Sequence, residues 1–144
     1  RNRIPYCFRE HLYPGVPTFE LHEITDEPFN FEGIEILPLS VWHYKLPIVG
    51  FRIGNMAYIT DAKSIDDSTI RRIEGIDTLI INSLRLEPHM SHMSLSETLA
   101  VIERVKPRRA LLIHMSHQMG LHSEASKILP PGVELAYDGM EITV

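Results

Sequence analysis

The sequence lacks the marks of several large protein classes. It holds one cysteine, Cys7, so no disulfide can form within the chain, and a reducing, cytoplasmic setting fits that count. No apolar run approaches the ~20 residues that cross a bilayer, and no leader of the charged-then-apolar kind is visible. Positive charge is scarce as well. The net charge is −5 and the pI about 5.9, which argues against a nucleic-acid binder working by bulk electrostatics. A phosphate substrate stays open, because a bound metal supplies positive charge locally. HExxH, paired CxxC, a Gly-rich phosphate loop and GxSxG are all absent, which removes the commonest short-motif routes to an activity. The chain starts at Arg1 without a methionine and runs straight into Pro-rich sequence. We therefore expect it to begin partway through a longer gene product or at a tag-removal site.

What is present fits one globular domain. The 144 residues are 44% hydrophobic and 23% charged, enough for a real core. Pro5, Pro14, Gly15, Pro17 and Pro28 make residues 1–32 an irregular lead-in. From residue 33 the pattern sharpens into a domain expected to reach residue 144. Ile34–Leu39, Ile48–Ile53 and Met56–Thr60 read as strands, the last two joined at Gly54-Asn55. Asp66–Ile73 reads as a short helix. Thr78–Asn82 and Arg109–Ile113 are compact apolar runs of the kind found in strands buried on both faces. Between them, Ser94–Val105 reads as a helix opened by a capping box of Ser94 and Glu97 and stopped by Pro107. A further helix is expected over 124–129, or from Gln118 onward, and a closing hairpin over 133–137 and 140–144, turned at Asp138-Gly139. The order predicts a layered α/β fold with a mixed sheet. Its core is expected from Leu79, Ile80, Ile81, Leu99, Ile102, Leu111, Leu112 and Ile113.

Eight histidines stand out by position more than by number. His43, His89, His92 and His114 follow predicted strands or sit in the loops after them, and Asp61 directly follows the strand that starts at Met56. Ligands gather at the carboxyl ends of strands in α/β sheets, and imidazole and carboxylate are the usual donors to zinc and similar ions. Against this, an isolated histidine is most often a structural or surface residue, and Asp61 alone would serve equally as a turn aspartate. His117 and His122 read as structural, and His11 and His22 receive no role. The repeated HxxH spacing in His89-Met-Ser-His92 and His114-Met-Ser-His117 lies in no predicted helix and decides nothing.

The strings around these residues resemble a known superfamily. Tyr58-Ile-Thr-Asp61-Ala62 is similar to the strand-to-aspartate motif of the metallo-β-lactamase superfamily. Leu111-Leu-Ile-His114-Met-Ser-His117 is similar to its late strand-to-histidine motif, and Leu135–Val144 to the way one subgroup ends. The nearest likeness is to the phosphonate-pathway cyclic phosphodiesterase group. The resemblance runs from about residue 33 to the end, with a looser match at Arg3–Cys7. It implies the C-terminal part of a layered αββα metallo-hydrolase fold and a binuclear site holding two divalent ions, zinc or manganese. His43 would be a ligand of the first ion, Asp61 a bridge between both, and His114 a ligand of the second. His92 would be a catalytic residue at the scissile phosphate. The implied activity is phosphodiester hydrolysis by a hydroxide that bridges the two metals.

The departure from the superfamily is large, because its HxHxDH signature appears nowhere in the sequence. A catalytic zinc usually has three protein ligands and one open position, so the site is expected to be incomplete in this chain and the chain alone inactive. The expected partner is a missing N-terminal half or a second copy, and the expected substrate a small phosphodiester rather than RNA or a membrane. Two other readings stand beside this one: a ribonuclease of the tRNA-maturation type, and a non-catalytic α/β interaction module whose histidines are structural.

Overall fold

The computed structural model describes residues 5–8, 14–17 and 19–143. Among these residues, seven strands form one sheet in which sequence order is spatial order. Strands β1 (Phe29–Phe31), β2 (Ile34–His43), β3 (Leu46–Ile53) and β4 (Met56–Ile59) make an antiparallel meander. The chain then changes mode. From β4, crossovers lead to β5 (Thr78–Asn82), β6 (Arg109–Ile113) and β7 (Val133–Leu135), each parallel to its neighbour. Parallel neighbours need long connections. These carry helix α1 (Asp67–Ile73), helix α2 (Leu95–Val105) and the short helix α3 (His122–Ala125).

The register assigns the two faces. Ala57, Leu79, Ala110 and Val133 are direct partners across four strands, as are Ile59, Ile81, Leu112 and Leu135. These residues are buried and share one core with Leu39 and Val41 of β2, Ile70 and Ile73 of α1, and Leu95 and Val105 of α2. Burying a side chain of this size contributes about 1.5–3 kcal/mol, so the helix-covered face carries most of the packing free energy. Gly50 of β3 lies on this face, close against β4. A Cβ there would meet the Tyr58 carbonyl oxygen at 2.9 Å.

The opposite face is different. Pro38, Phe51, Tyr58, Ile80 and Leu111 are partners in one row, and Ile36, Ile53 and Met56 in the next. At its meander end this face is open. Phe31 and Tyr58 are exposed, and an apolar depression of about 500 Å³ is lined by Phe29, Phe31, Ile36, Phe51, Ile53 and Tyr58 among others.

The two apolar runs are strands with the expected bounds, and Ser94 with Glu97 forms the complete capping box. Of the expected core, Leu79, Ile81, Leu111 and Leu112 are buried. Leu99 and Ile102 pack against the core only partly, because α2 turns Leu95, Thr98 and Val105 inward instead. Three expectations are corrected. The lead-in is not irregular throughout, since Phe29–Phe31 pairs with β2. The helix expected over 124–129 is broken into a short α-helix and 3-10 turns at His117–Met119 and Ser126–Ile128; four residues make too few i→i−4 bonds to propagate. The closing hairpin is absent among the described residues. Val133–Leu135 instead extends the parallel edge beside β6, and the Asp138-Gly139 turn, closed by Met140 N to Tyr137 O at 3.0 Å, leads into residues without a strand partner. A buried parallel edge offered backbone partners that an isolated hairpin would not. No helix among the described residues is long and apolar enough to cross a membrane.

Candidate metal centre

Four candidate residues meet at one end of the sheet. His43 is the last residue of β2, and Asp61 lies two residues beyond β4. His92 sits in the loop between β5 and α2, and His114 directly follows β6. Asp61 is the hub. Its Oδ1 is 3.2 Å from His114 Nδ1 and its Oδ2 is 3.9 Å from His92 Nε2. The Thr60 hydroxyl donates to Asp61 Oδ1. The His92 ring stacks on His114 with centroids 4.9 Å apart and planes at 15°, and meets His43 edge-on at 4.7 Å. Donor atoms of Asp61, His92 and His114 all lie within 4.8 Å of one another.

Backbone stitching holds these loops in place. Asn82, at the end of β5 and fully buried, accepts from Ala62 N at 2.6 Å and donates to Ala62 O at 2.9 Å. It therefore clamps the peptide next to Asp61. Met93 N donates to the same Ala62 carbonyl at 3.1 Å and Leu84 N to Met93 O at 2.9 Å, and the Met93 side chain is buried. This fixes the loop that carries His92. Ser116 N donates to Leu84 O at 2.8 Å, tying in the loop after His114. His114 itself has φ +61°, an uncommon conformation for a side chain other than glycine, and it breaks the strand alternation right after Ile113.

The residues around His92 define its chemistry. Its Nδ1 lies 3.0 Å from Ser91 Oγ and 3.3 Å from His89 Nδ1, while Nε2 faces Asp61. Desolvation by burial holds its pKa below the usual histidine range. The neighbouring His114 and His43 add to this, and Asp61 pulls the other way. A neutral imidazole is the form that binds metals or donates a neutral hydrogen bond. The donor set of two imidazoles and a carboxylate suits zinc or manganese.

The geometry differs in one respect from the expected grouping. It is His92, not His43, that joins Asp61 and His114 in the tight group of three. Three further histidines have other surroundings. His22 faces Glu20 at 3.3 Å on the surface. His122 touches Leu135 O and Ser126 Oγ, each at 3.4 Å, and His117 opens a 3-10 turn that Ser116 caps. His11 lies outside the described residues. Sequence reading missed Asn82, whose signal was being the one amide that closes an apolar strand. It also missed Ser91 and His89 as neighbours of His92 Nδ1.

A sheet end that presents imidazole and carboxylate groups from successive strand termini is the layout of an α/β metal-site domain. The chain belongs to the β-lactamase superfamily domain family, whose sequence profile matches residues 1–115, and its mixed sheet with helices has the metallo-β-lactamase fold. A solved diphosphatase of the PhnP family is 32% identical with a TM-score of 0.85, over 88% of this chain and 50% of that one. YhfI from Bacillus subtilis, a metallo-β-lactamase fold protein, is 23% identical with a TM-score of 0.70, over 89% of this chain and 57% of that one. A Porphyromonas gingivalis (strain ATCC BAA-308 / W83) protein named octanoyltransferase is 38% identical over 146 aligned residues, all of this chain and 30% of that protein. The chain thus spans 30% of the curated relative and about half of the diphosphatase.

Proposed function

We propose that this chain supplies one wall of a two-metal phosphodiesterase site, and that a segment bearing HxHxDH in the same longer protein supplies the other. The observation that carries the reading is the convergence of Asp61, His92 and His114 donor atoms within 4.8 Å, with His43 against the His92 ring. Asp61 would bridge two divalent ions, with His43 and His114 as private ligands. His92, held from behind by Ser91 and His89, would orient the phosphate and give a hydrogen bond to the leaving oxygen. Divalent ions bound there would polarise a phosphoryl oxygen and lower the pKa of a water. The likeness to a diphosphatase supports phosphoester over other substrates. The octanoyltransferase name belongs to a protein of which this segment is 30%, and the metal-type donor set gives no reason to carry that name over to the segment.

The open sheet face supports the two-part reading. An apolar face of this kind marks a surface built to be covered, and the proposed occupant is the HxHxDH-bearing half. Zinc titration and hydrolysis of bis(p-nitrophenyl) phosphate by the longer protein, beside its Asp61→Asn variant, test the proposal. We expect strong zinc binding and turnover, both lost in the variant. No more than stray metal, with no change in the variant, would favour the non-catalytic module. The isolated chain is expected to show no useful turnover. Equal turnover by the isolated chain and the longer protein would refute the two-part site.

A further inference from the structure

Beside the histidine cluster, a groove of about 510 Å³ runs between the β2–β3 turn and the loop carrying His92, lined by His43, Tyr44, Lys45, Leu46, Met90 and Ser91. His43 and Ser91 belong to the cluster's own surroundings, so the groove opens directly from the site. Its outer walls are Tyr44, Leu46 and Met90, which are 49%, 60% and 67% exposed. Three large apolar side chains gathered at a site mouth bury little in the chain's own core and are available to a ligand. Lys45 Nζ lies 5.4 Å from the centre of the Tyr44 ring. No ion pair to Lys45 occurs among the described residues, so the rim keeps a positive charge suited to a phosphate-bearing molecule.

The backbone adds an independent observation. His43 pairs with Leu46, which leaves Tyr44 and Lys45 as a two-residue turn, and Tyr44 has φ +56°. Hairpin turns place Gly, Asn or Asp at such positions. An aromatic residue there is strained, and strain of this kind concentrates at ligand clamps.

We propose that this groove is a specificity subsite for the second organic arm of a phosphodiester, and that it selects a flat apolar arm such as an aryl group. Tyr44 offers its ring to the arm, and Met90 adapts to its outline as flexible thioethers do. The assignment rests on the phosphodiesterase reading only for the identity of the substrate.

The test uses the longer protein with zinc, two diesters that share one leaving group, and a binding assay. The diesters are bis(p-nitrophenyl) phosphate and methyl p-nitrophenyl phosphate. The variants are Tyr44→Gly and Met90→Ala, singly and together. The double variant should raise KM for the diaryl ester about tenfold, equivalent to losing about 55 Å² of apolar contact. KM for the methyl ester should stay within about twofold and kcat should hold for both, as expected where only uniform binding is lost. Tyr44→Gly relieves the turn, so its Tm should hold or rise while its KM worsens, which a merely structural tyrosine would not show. Calorimetric binding of phenyl phosphate, compared with inorganic phosphate, should show the same dependence on both residues without needing turnover. Turnover with equal loss for both esters, or with no loss for either, overturns the subsite and leaves the reaction standing. Absence of all turnover with Tyr44-dependent phenyl phosphate binding overturns the reaction and leaves the subsite standing. Absence of both overturns both.

Discussion

Replacing Asn82 by alanine tests how the site is held. The Asn82 amide bonds both backbone polar atoms of Ala62, at 2.6 Å and 2.9 Å, and both residues are fully buried. In Asn82→Ala the Ala62 carbonyl keeps Met93 N at 3.1 Å, but among the described residues the Ala62 N–H has no other partner. An unsatisfied buried donor costs about 1–3 kcal/mol, and each lost hydrogen bond about 1 kcal/mol. Removing the amide also leaves a small void. Together these amount to a loss of about 3 kcal/mol. At ~2–4 °C per kcal/mol for a chain near this size, Tm should fall by on the order of 10 °C. Circular dichroism melts of the chain measure this directly. The same change frees the peptide adjoining Asp61, so zinc affinity in the longer protein, read by competition with a chromophoric chelator, should fall about tenfold or more, as it does when residues that orient metal ligands are lost. Asn82→Asp keeps the acceptor for Ala62 N but sets a buried oxygen against Ala62 O, and should destabilise at least as much. A Tm drop under about 1 kcal/mol equivalent, with zinc affinity unchanged, would refute the clamp.

Three further outcomes follow from single features. Gly50→Ala should destabilise by about 1–3 kcal/mol in urea melts, because the new Cβ lies 2.9 Å from backbone rather than from a movable side chain. Ser94→Ala should cost about 1 kcal/mol through loss of the hydroxyl that accepts from Glu97 N at 3.5 Å and donates to Glu97 Oε2 at 2.9 Å. Glu97 gives the pH dependence. Burial alone would raise its pKa, but bonds from Lys63 Nζ at 2.6 Å and from Ser94 outweigh that and hold it below the usual carboxylate range. Its contribution is therefore present above the unfolded-state value and is lost as pH falls through the folded one. Glu97→Gln should flatten the acid limb of the stability curve between those two values, and an unchanged limb would contradict the assignment.

Much of this fold is legible in the sequence because its central elements obey one rule at a time. Thr78–Asn82 and Arg109–Ile113 are short apolar runs, and only a strand covered on both faces suits them. The Ser94–Glu97 box is a purely local signal, and it fixed the start of α2. Phe29–Phe31 escaped because three residues carry no period, and they become a strand only through β2 beside them. The last hairpin escaped because local turn chemistry at Asp138-Gly139 competed with a vacant parallel edge, which no local pattern reports. For the site, strand-end placement was enough to bring His43, Asp61, His92 and His114 together. The grouping of His92 with Asp61 depends on loops joined by Leu84, Met93 and Ser116, contacts between segments far apart in sequence.

The two faces of the sheet divide what a substitution can report. Ile59, Ile81 and Leu112 are buried by the chain's own helices, so shortening any of them should lower the stability of this chain by itself. Ile36 and Ile53 on the other face are partly buried, and Tyr58 is 41% exposed, so truncating them removes less buried surface here than on the helix-covered face. If that face is covered in the longer protein, the same truncations become core substitutions there, at about 2–5 kcal/mol for Ile→Ala. Ile53→Ala is the sharpest case, because it lies in the apolar depression and away from every candidate ligand. Its effect should be clearly smaller in the isolated chain than in the longer protein, measured by the same urea melt. Equal effects in both would mean the face is open in both. The second wall of the site would then have to come from somewhere other than a half stacked on this sheet.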